Sequence, residues 1–233
     1  MDPQDFDSRV TSIAALGEPV RRQLYRYVVG QPEPVGREQA AAAVGVLRHV
    51  AKFHLDKLEE EGLLEAEYAR PAGRSGPGAG RPAKLYRRSS HDLEVSLPER
   101  RYDLAARVMA EAITIAELQG VPIGAALREA AAEAGRELGR EARMKSGVRA
   151  SGRDTLAAVE QVLTERGYEP KNVGQELELA NCPFHNLAQK YTNLICGINF
   201  DLIDGLLDEA GATGLHAQLQ PIPGRCCVTI SGR

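Results

Sequence analysis

The four cysteines of this 233-residue chain, Cys182, Cys196, Cys226 and Cys227, all fall in its last quarter, with His185 three residues after the first. Three thiolates and a fourth donor can hold Zn²⁺ tetrahedrally or carry an iron–sulfur cluster. Cys182, Cys196 and Cys226 are the candidate ligands, and His185 is the possible fourth. Cys227 is held as a substitute for Cys226: neighbouring strand residues point to opposite faces, and Cys226 shares its face with Val228 and Ile230. A pair of cysteines two residues apart, as in a zinc knuckle, is absent, so inert core thiols are the alternative reading. Cys182 or Cys196 as a nucleophile with His185 as base is also conceivable. It lacks an oxyanion loop and an orienting partner, so the chain reads as a non-enzyme.

A second group of residues has the chemistry of duplex DNA. Within residues 37–88 a short helical run, Arg37-Glu38-Gln39-Ala40-Ala41-Ala42-Ala43, meets a tight Val44-Gly45-Val46 turn. A second helix over 47–61 is stopped by Gly62. Leu63-Leu64-Glu65-Ala66-Glu67-Tyr68, a Gly/Pro/Arg-rich tip and Pro82-Ala83-Lys84-Leu85-Tyr86-Arg87 then read as a hairpin. Two helices joined by a glycine turn and followed by a hairpin form a winged helix-turn-helix, whose second helix enters the major groove. In that helix Ala51, His54, Leu55 and Leu58 share an inward face, with His54 read as a core residue, and Arg48, His49, Lys52, Phe53 and Asp56 lie on the opposite one. Arg48 can pair with a guanine, His49 and Lys52 can add donors, and Phe53 can meet a thymine methyl. On the hairpin, Arg74, Arg81, Lys84, Arg87 and Arg88 are phosphate or minor-groove candidates. Residues 71–82 could instead be a flexible linker; flanking strand-like runs favour the hairpin tip.

Charge is consistent with this division. The net charge is -3, but residues 1–90 carry 14 Lys/Arg against 12 Asp/Glu, and residues 91–233 carry 15 against 20. Six basic residues and no acid lie between Arg70 and Arg88, a local basic finger suited to phosphates. No stretch is long and apolar enough for a membrane span, and the acidic start Met1-Asp2-Pro3-Gln4-Asp5-Phe6-Asp7 is unlike a secretory signal. A cytoplasmic location is therefore expected, where clustered thiols serve as ligands or redox groups rather than structural disulfides.

The elements that must position these groups are read from periodicity. The expected class is α+β, mainly α, in three parts: a DNA-binding domain over 1–90, a helical linker or dimerisation region over 91–152, and a cysteine-containing domain over 153–233. Residues 1–10 read as a loose lead-in. Apolar residues then recur at helical spacing to Val29, with Glu18-Pro19 marking a helix start partway along. Helices over 101–119 and 122–143 carry apolar stripes that can face a partner or the subunit's own core. After a helix over 154–166, strands over 168–172 and 176–181, two helices meeting at Cys196-Gly197, and strands over 216–221 and 226–230 give a β-β-α-α-β-β unit.

Lys52-Phe53-His54-Leu55-Asp56-Lys57-Leu58-Glu59-Glu60-Glu61-Gly62-Leu63-Leu64 resembles the recognition helix and wing entry of ArsR-like bacterial regulators. Gly78-Ala79-Gly80-Arg81-Pro82-Ala83-Lys84-Leu85-Tyr86 is similar to the wing of their SufR-type subset. The chain departs from the pattern at Val46-Leu47, where a Ser or Thr cap is usual. The spread of Cys182, Cys196 and Cys226 is similar to the C-terminal part of SufR-type repressors, where three cysteines hold an iron–sulfur cluster. It also resembles 4-vinyl reductase-type ligand-binding domains with metal-binding cysteines. The doubled Cys226-Cys227 departs from both, as does Cys196-Gly197-Ile198-Asn199, which lacks an acidic residue expected there. The resemblance implies a homodimeric repressor that binds double-stranded DNA under control of a cluster. The alternative is a winged-helix regulator of the same kind answering to a small organic effector, with structural zinc or no metal.

Overall fold

A computed structural model describes residues 3–69, 82–147, 150–173, 176–222 and 224–232. The chain divides into two compact units, residues 2–95 and 96–233. It is α+β and mainly helical, with two small antiparallel sheets.

The first unit has helices α1 (Pro3–Ala15), α2 (Pro19–Val29), α3 (Arg37–Val44) and α4 (Arg48–Glu60) and strands β1 (Val35–Gly36), β2 (Leu64–Ala69) and β3 (Ala83–Arg88). The expected loose lead-in is helical from Pro3. Glu18 starts α2 by accepting hydrogen bonds from the Val20 and Arg21 amides (3.1 and 2.5 Å), and Pro19 costs nothing where no helical amide bond is due. Gly45 stops α3 at φ 74°, a left-handed conformation that side chains other than glycine resist. Two residues later α4 begins without a side-chain cap at Leu47. Leu24, Val28, Val35, Ala51, Leu55, Leu58 and Tyr86 close a single core. The sheet order is β1-β3-β2, with Val35 opposite Tyr86 and the hairpin running from Leu64↔Arg88 to Ala69↔Ala83.

The second unit has α5 (Tyr102–Gln119), α6 (Ile123–Ser146), α7 (Gly152–Glu165), β4 (Pro170–Val173), β5 (Glu176–Leu179), α8 (His185–Lys190), α9 (Thr192–Ala210), β6 (Leu215–Leu219) and β7 (Val228–Gly232). Its sheet runs β4-β5-β7-β6, antiparallel throughout, with Ile230 between Leu177 and Ala217. Ser151 and Asp154 form a reciprocal capping box at the start of α7, which satisfies two otherwise unpaired amides.

Helices α5 and α6, expected as a linker or dimerisation region, share one core with α7, α9 and this sheet. The α6 stripe of Ala126, Ala130, Ala134, Leu138 and Ala142 is buried. A Cβ at Gly135 would overlap the carbonyl oxygen of Leu202, and one at Gly205 that of Ala132. Glycine therefore lets α6 and α9 approach to backbone contact. Helix α9 is unbroken through Cys196-Gly197, in contrast to the expected break between two helices there. Ile195, Ile198, Leu202, Ile203 and Leu206 are buried along it. Each such side chain contributes roughly 1.5–3 kcal/mol on burial, against the roughly 1 kcal/mol that one glycine costs a helix.

Candidate thiol centre and candidate nucleic-acid interface

Three turns of chain converge on the cysteines. Cys182 follows β5 and is held where Asn181 bridges neighbouring segments. The Asn181 amide donates to the carbonyls of Glu99 (2.9 Å) and Gly167 (2.6 Å), and its oxygen accepts from Arg100 (2.5 Å). Arg100 also donates to the Cys182 carbonyl (3.2 Å). Cys196 lies in the second turn of α9. Cys226 and Cys227 precede β7, which begins at Val228, so the strand alternation invoked to separate them does not operate.

All four thiols are free and buried, with Cys226 beside Cys182, and Cys227 beside both Cys226 and Cys196. The hydrogen bond to Cys226, aided by burial, pushes the Cys182 thiol far above its ordinary range. At Cys226 the bond from Cys182 pulls down, but the bond to Cys227 and burial push the thiol up to about 12. Burial raises Cys196, partly offset by its bond with Cys227.

Cys182, Cys196 and Cys227 line one cavity of about 400 Å³ with His185, Gln189, Thr192 and Arg225. Cys226, favoured from the sequence as third ligand, is not among its walls; it is fully buried, and its Sγ accepts from Asn199 Nδ2 (3.0 Å). His185 Nε2 lies 2.9 Å from the Gln189 amide nitrogen, a contact able to fix the ring's orientation. Arg225 pairs with Glu178 at the wall of the cavity. Among the described residues no group of three or more His, Cys, Asp or Glu side chains is arranged to hold a metal ion as it stands. The donor set nonetheless fits a thiophilic group: three soft sulfurs and an imidazole line one cavity. Sequence reasoning missed Asn199, although a polar residue inside an apolar α9 stripe is a readable signal. It also missed Tyr168, Gln189 and Arg225.

In the first unit, Arg48, His49, Lys52 and Phe53 are exposed on the early part of α4. Ala51, Leu55 and Leu58 are fully buried behind them. Arg48 pairs with Glu38 (2.9 Å), both side chains open to water, a contact worth about 0–1 kcal/mol and readily exchanged. Phe53 is 63% exposed, with its ring edge-on to that of His54 (5.2 Å between centroids). His54 is half-buried and accepts from Arg21 Nε (3.4 Å), as befits a residue of the inner face.

Lys84, expected among the phosphate contacts, has its ammonium on Asp56 (2.8 Å) and Glu59. Asp56 also accepts from Lys52 (2.8 Å) and from the Tyr86 hydroxyl (2.6 Å). Burial alone would raise the Asp56 carboxyl, but these hydrogen bonds hold it well below the usual carboxylate range. The network ties β3 to α4. Arg87 is exposed and reaches Glu65 (3.0 Å), and Arg88 is exposed with its guanidinium 3.5 Å from the Val29 carbonyl. Arg74 and Arg81 lie outside the described residues.

Set against known proteins, the chain matches no family model, no curated protein and no solved structure. Among the described residues no helix is long and apolar enough to cross a membrane.

Proposed function

We propose that this protein is a DNA-binding transcriptional regulator acting as a homodimer, with its thiol centre as the controlling element. The observation that carries the reading is the composition of the exposed face of α4. Arg48, His49, Lys52 and Phe53 form one outward stripe at the start of a helix that follows α3 through the Gly45 turn. The early residues of the second helix are those that reach base edges in a helix-turn-helix. Later in α4 the acidic residues Asp56 and Glu59 are occupied by Lys84, which limits their repulsion of phosphates. The β2–β3 hairpin then acts as the wing, and the winged helix-turn-helix is the arrangement we assign to residues 1–90.

In the second unit, Cys182, Cys196 and Cys227 are the residues that would hold an iron–sulfur cluster, with His185 beside them; zinc is the alternative occupant. A bound cluster supplies a redox-sensitive centre. The chain's own part is to bury the thiols, fix the backbone at Cys182 through Asn181 and Arg100, and hold Cys182 and Cys196 protonated until a metal displaces those protons. The same raised thiol at Cys182 speaks against a nucleophilic enzyme, which needs a lowered thiol pKa.

A second reading assigns control to a small organic effector. It is favoured by an apolar groove of about 500 Å³ bordered by Leu127, Leu194, Ile198, Phe200 and Leu219. Iron, sulfide and zinc analysis of protein purified without oxygen separates the two. Iron and sulfide together support the cluster, and metal-free protein whose DNA binding survives chelation contradicts it.

A further inference from the structure

The vicinal pair Cys226-Cys227 offers two sulfurs where a cluster or zinc site of the proposed kind has use for one. The two differ in surroundings. Cys227 lines the cavity. Cys226 is fully buried, and its amide donates to the Leu179 carbonyl (2.9 Å), which pins the residue against the end of β5. Its sulfur meets a polar relay: the Tyr168 hydroxyl donates to Asn199 Oδ1 (2.5 Å), and Asn199 Nδ2 donates to Cys226 Sγ (3.0 Å). Both Tyr168 and Asn199 are fully buried. The carboxamide has one partner on each side, Tyr168 and Cys226. A buried donor deprived of its acceptor costs about 1–3 kcal/mol, so drawing Cys226 into the cavity would strand the Asn199 amide.

We propose that Asn199 is the positioning residue of the thiol centre: by donating to Cys226 Sγ, and itself held by Tyr168, it keeps that sulfur behind the cavity and leaves Cys182, Cys196 and Cys227 to face a bound metal. The inference rests on the reading of the cavity as a metal site and decides which of the two adjacent thiols serves it. Asn199 does not touch the metal; it acts through Cys226.

The test uses the full-length apoprotein with Zn²⁺ as the probe, titrated against a chromophoric chelator. Cys227→Ser is expected to weaken Zn²⁺ binding by more than the roughly 10–100-fold that loss of an outer partner costs. Cys226→Ser is expected to weaken it by less than about 10-fold on the same scale. In the Cys227→Ser background, Asn199→Leu is expected to restore part of the affinity, because Cys226 is then free to ligate; a merely structural role for Asn199 would weaken binding further. Equal loss in the two serine variants, or a double variant no tighter than Cys227→Ser, overturns the inference. Should the Asn199 variant fail to fold, X-ray absorption at zinc bound to the wild-type protein decides: three sulfur neighbours are expected, and four overturn it while the metal centre stands. Wild-type protein that retains neither zinc nor iron removes the metal site and this inference together.

Discussion

Tyr86→Phe isolates the link between the hairpin and α4. The Tyr86 ring is buried, and its hydroxyl gives one hydrogen bond, 2.6 Å long, to the Asp56 carboxylate. A hydrogen bond to a charged partner contributes about 1.5–3 kcal/mol. Asp56 keeps Lys52 and Lys84 after the hydroxyl is lost, so no acceptor is orphaned and the low end, about 1.5 kcal/mol, applies. That corresponds to roughly tenfold faster exchange of the most protected amides in the first unit, since about 1.4 kcal/mol is a factor of ten. Hydrogen exchange read by mass spectrometry on the whole protein reports it locally, in peptides covering 48–60 and 83–88, while peptides from 102–146 should not change. An Asp56→Asn, Tyr86→Phe cycle should show coupling of about 1 kcal/mol or more.

The pH dependence has a definite sign. The folded Asp56 carboxyl titrates below its unfolded value of about 3.9, so its contribution is fully present above about pH 4 and is lost as pH falls through the folded value. The first unit should therefore lose protection in acid more steeply in the wild type than in Asp56→Asn. Unchanged exchange in Tyr86→Phe, or an identical acid slope in the two proteins, would refute the network.

The remaining predictions concern the other contacts. Gly205→Val forces a side chain onto the Ala132 carbonyl and should cost at least about 1–3 kcal/mol, measured as a lowered unfolding midpoint of the second unit; a neutral outcome would mean that α6 and α9 do not meet there. Arg48→Ala should cost about 1–3 kcal/mol on a preferred duplex and little on random DNA. Arg87→Ala should weaken both equally and reduce the salt slope by about one, so equal effects of the two variants would undo that division of roles. Cys182→Ser should abolish metal retention without altering exchange in residues 3–69, and full metal content in that variant would remove Cys182 from the site.

Much of this was legible in the sequence wherever one period had one use. The inward face Ala51, Leu55, Leu58, the Gly45 stop and the hairpin at Leu64 and Tyr86 follow from spacing and turn chemistry alone. The reading lost accuracy where a local rule met a stronger tertiary one. Gly197 suggests a break, but burial of Ile195, Ile198 and Leu202 carries α9 through it, and this sets Cys196 in the second turn of a helix. Cys226 and Cys227 read as strand residues, yet β7 begins at Val228, two residues later than expected, so strand alternation does not separate them. The α6 stripe could have faced a partner; Gly135 and Gly139 at four-residue spacing were the sign of close approach to another helix. Lys84 looked like one more charge of a basic finger because its partners, Asp56 and Glu59, lie on a different element.

DNA binding itself is tested most directly by fluorescence anisotropy of the full-length protein on duplexes from upstream of its own gene, over a range of salt, with metal-loaded, metal-stripped and oxidised protein. The expected result is binding whose log affinity falls linearly with log salt, by about 0.9 per phosphate contact, weakened in Arg48→Ala and altered in strength by the state of the thiols. Absence of salt-sensitive binding to every duplex in all three forms would contradict the account.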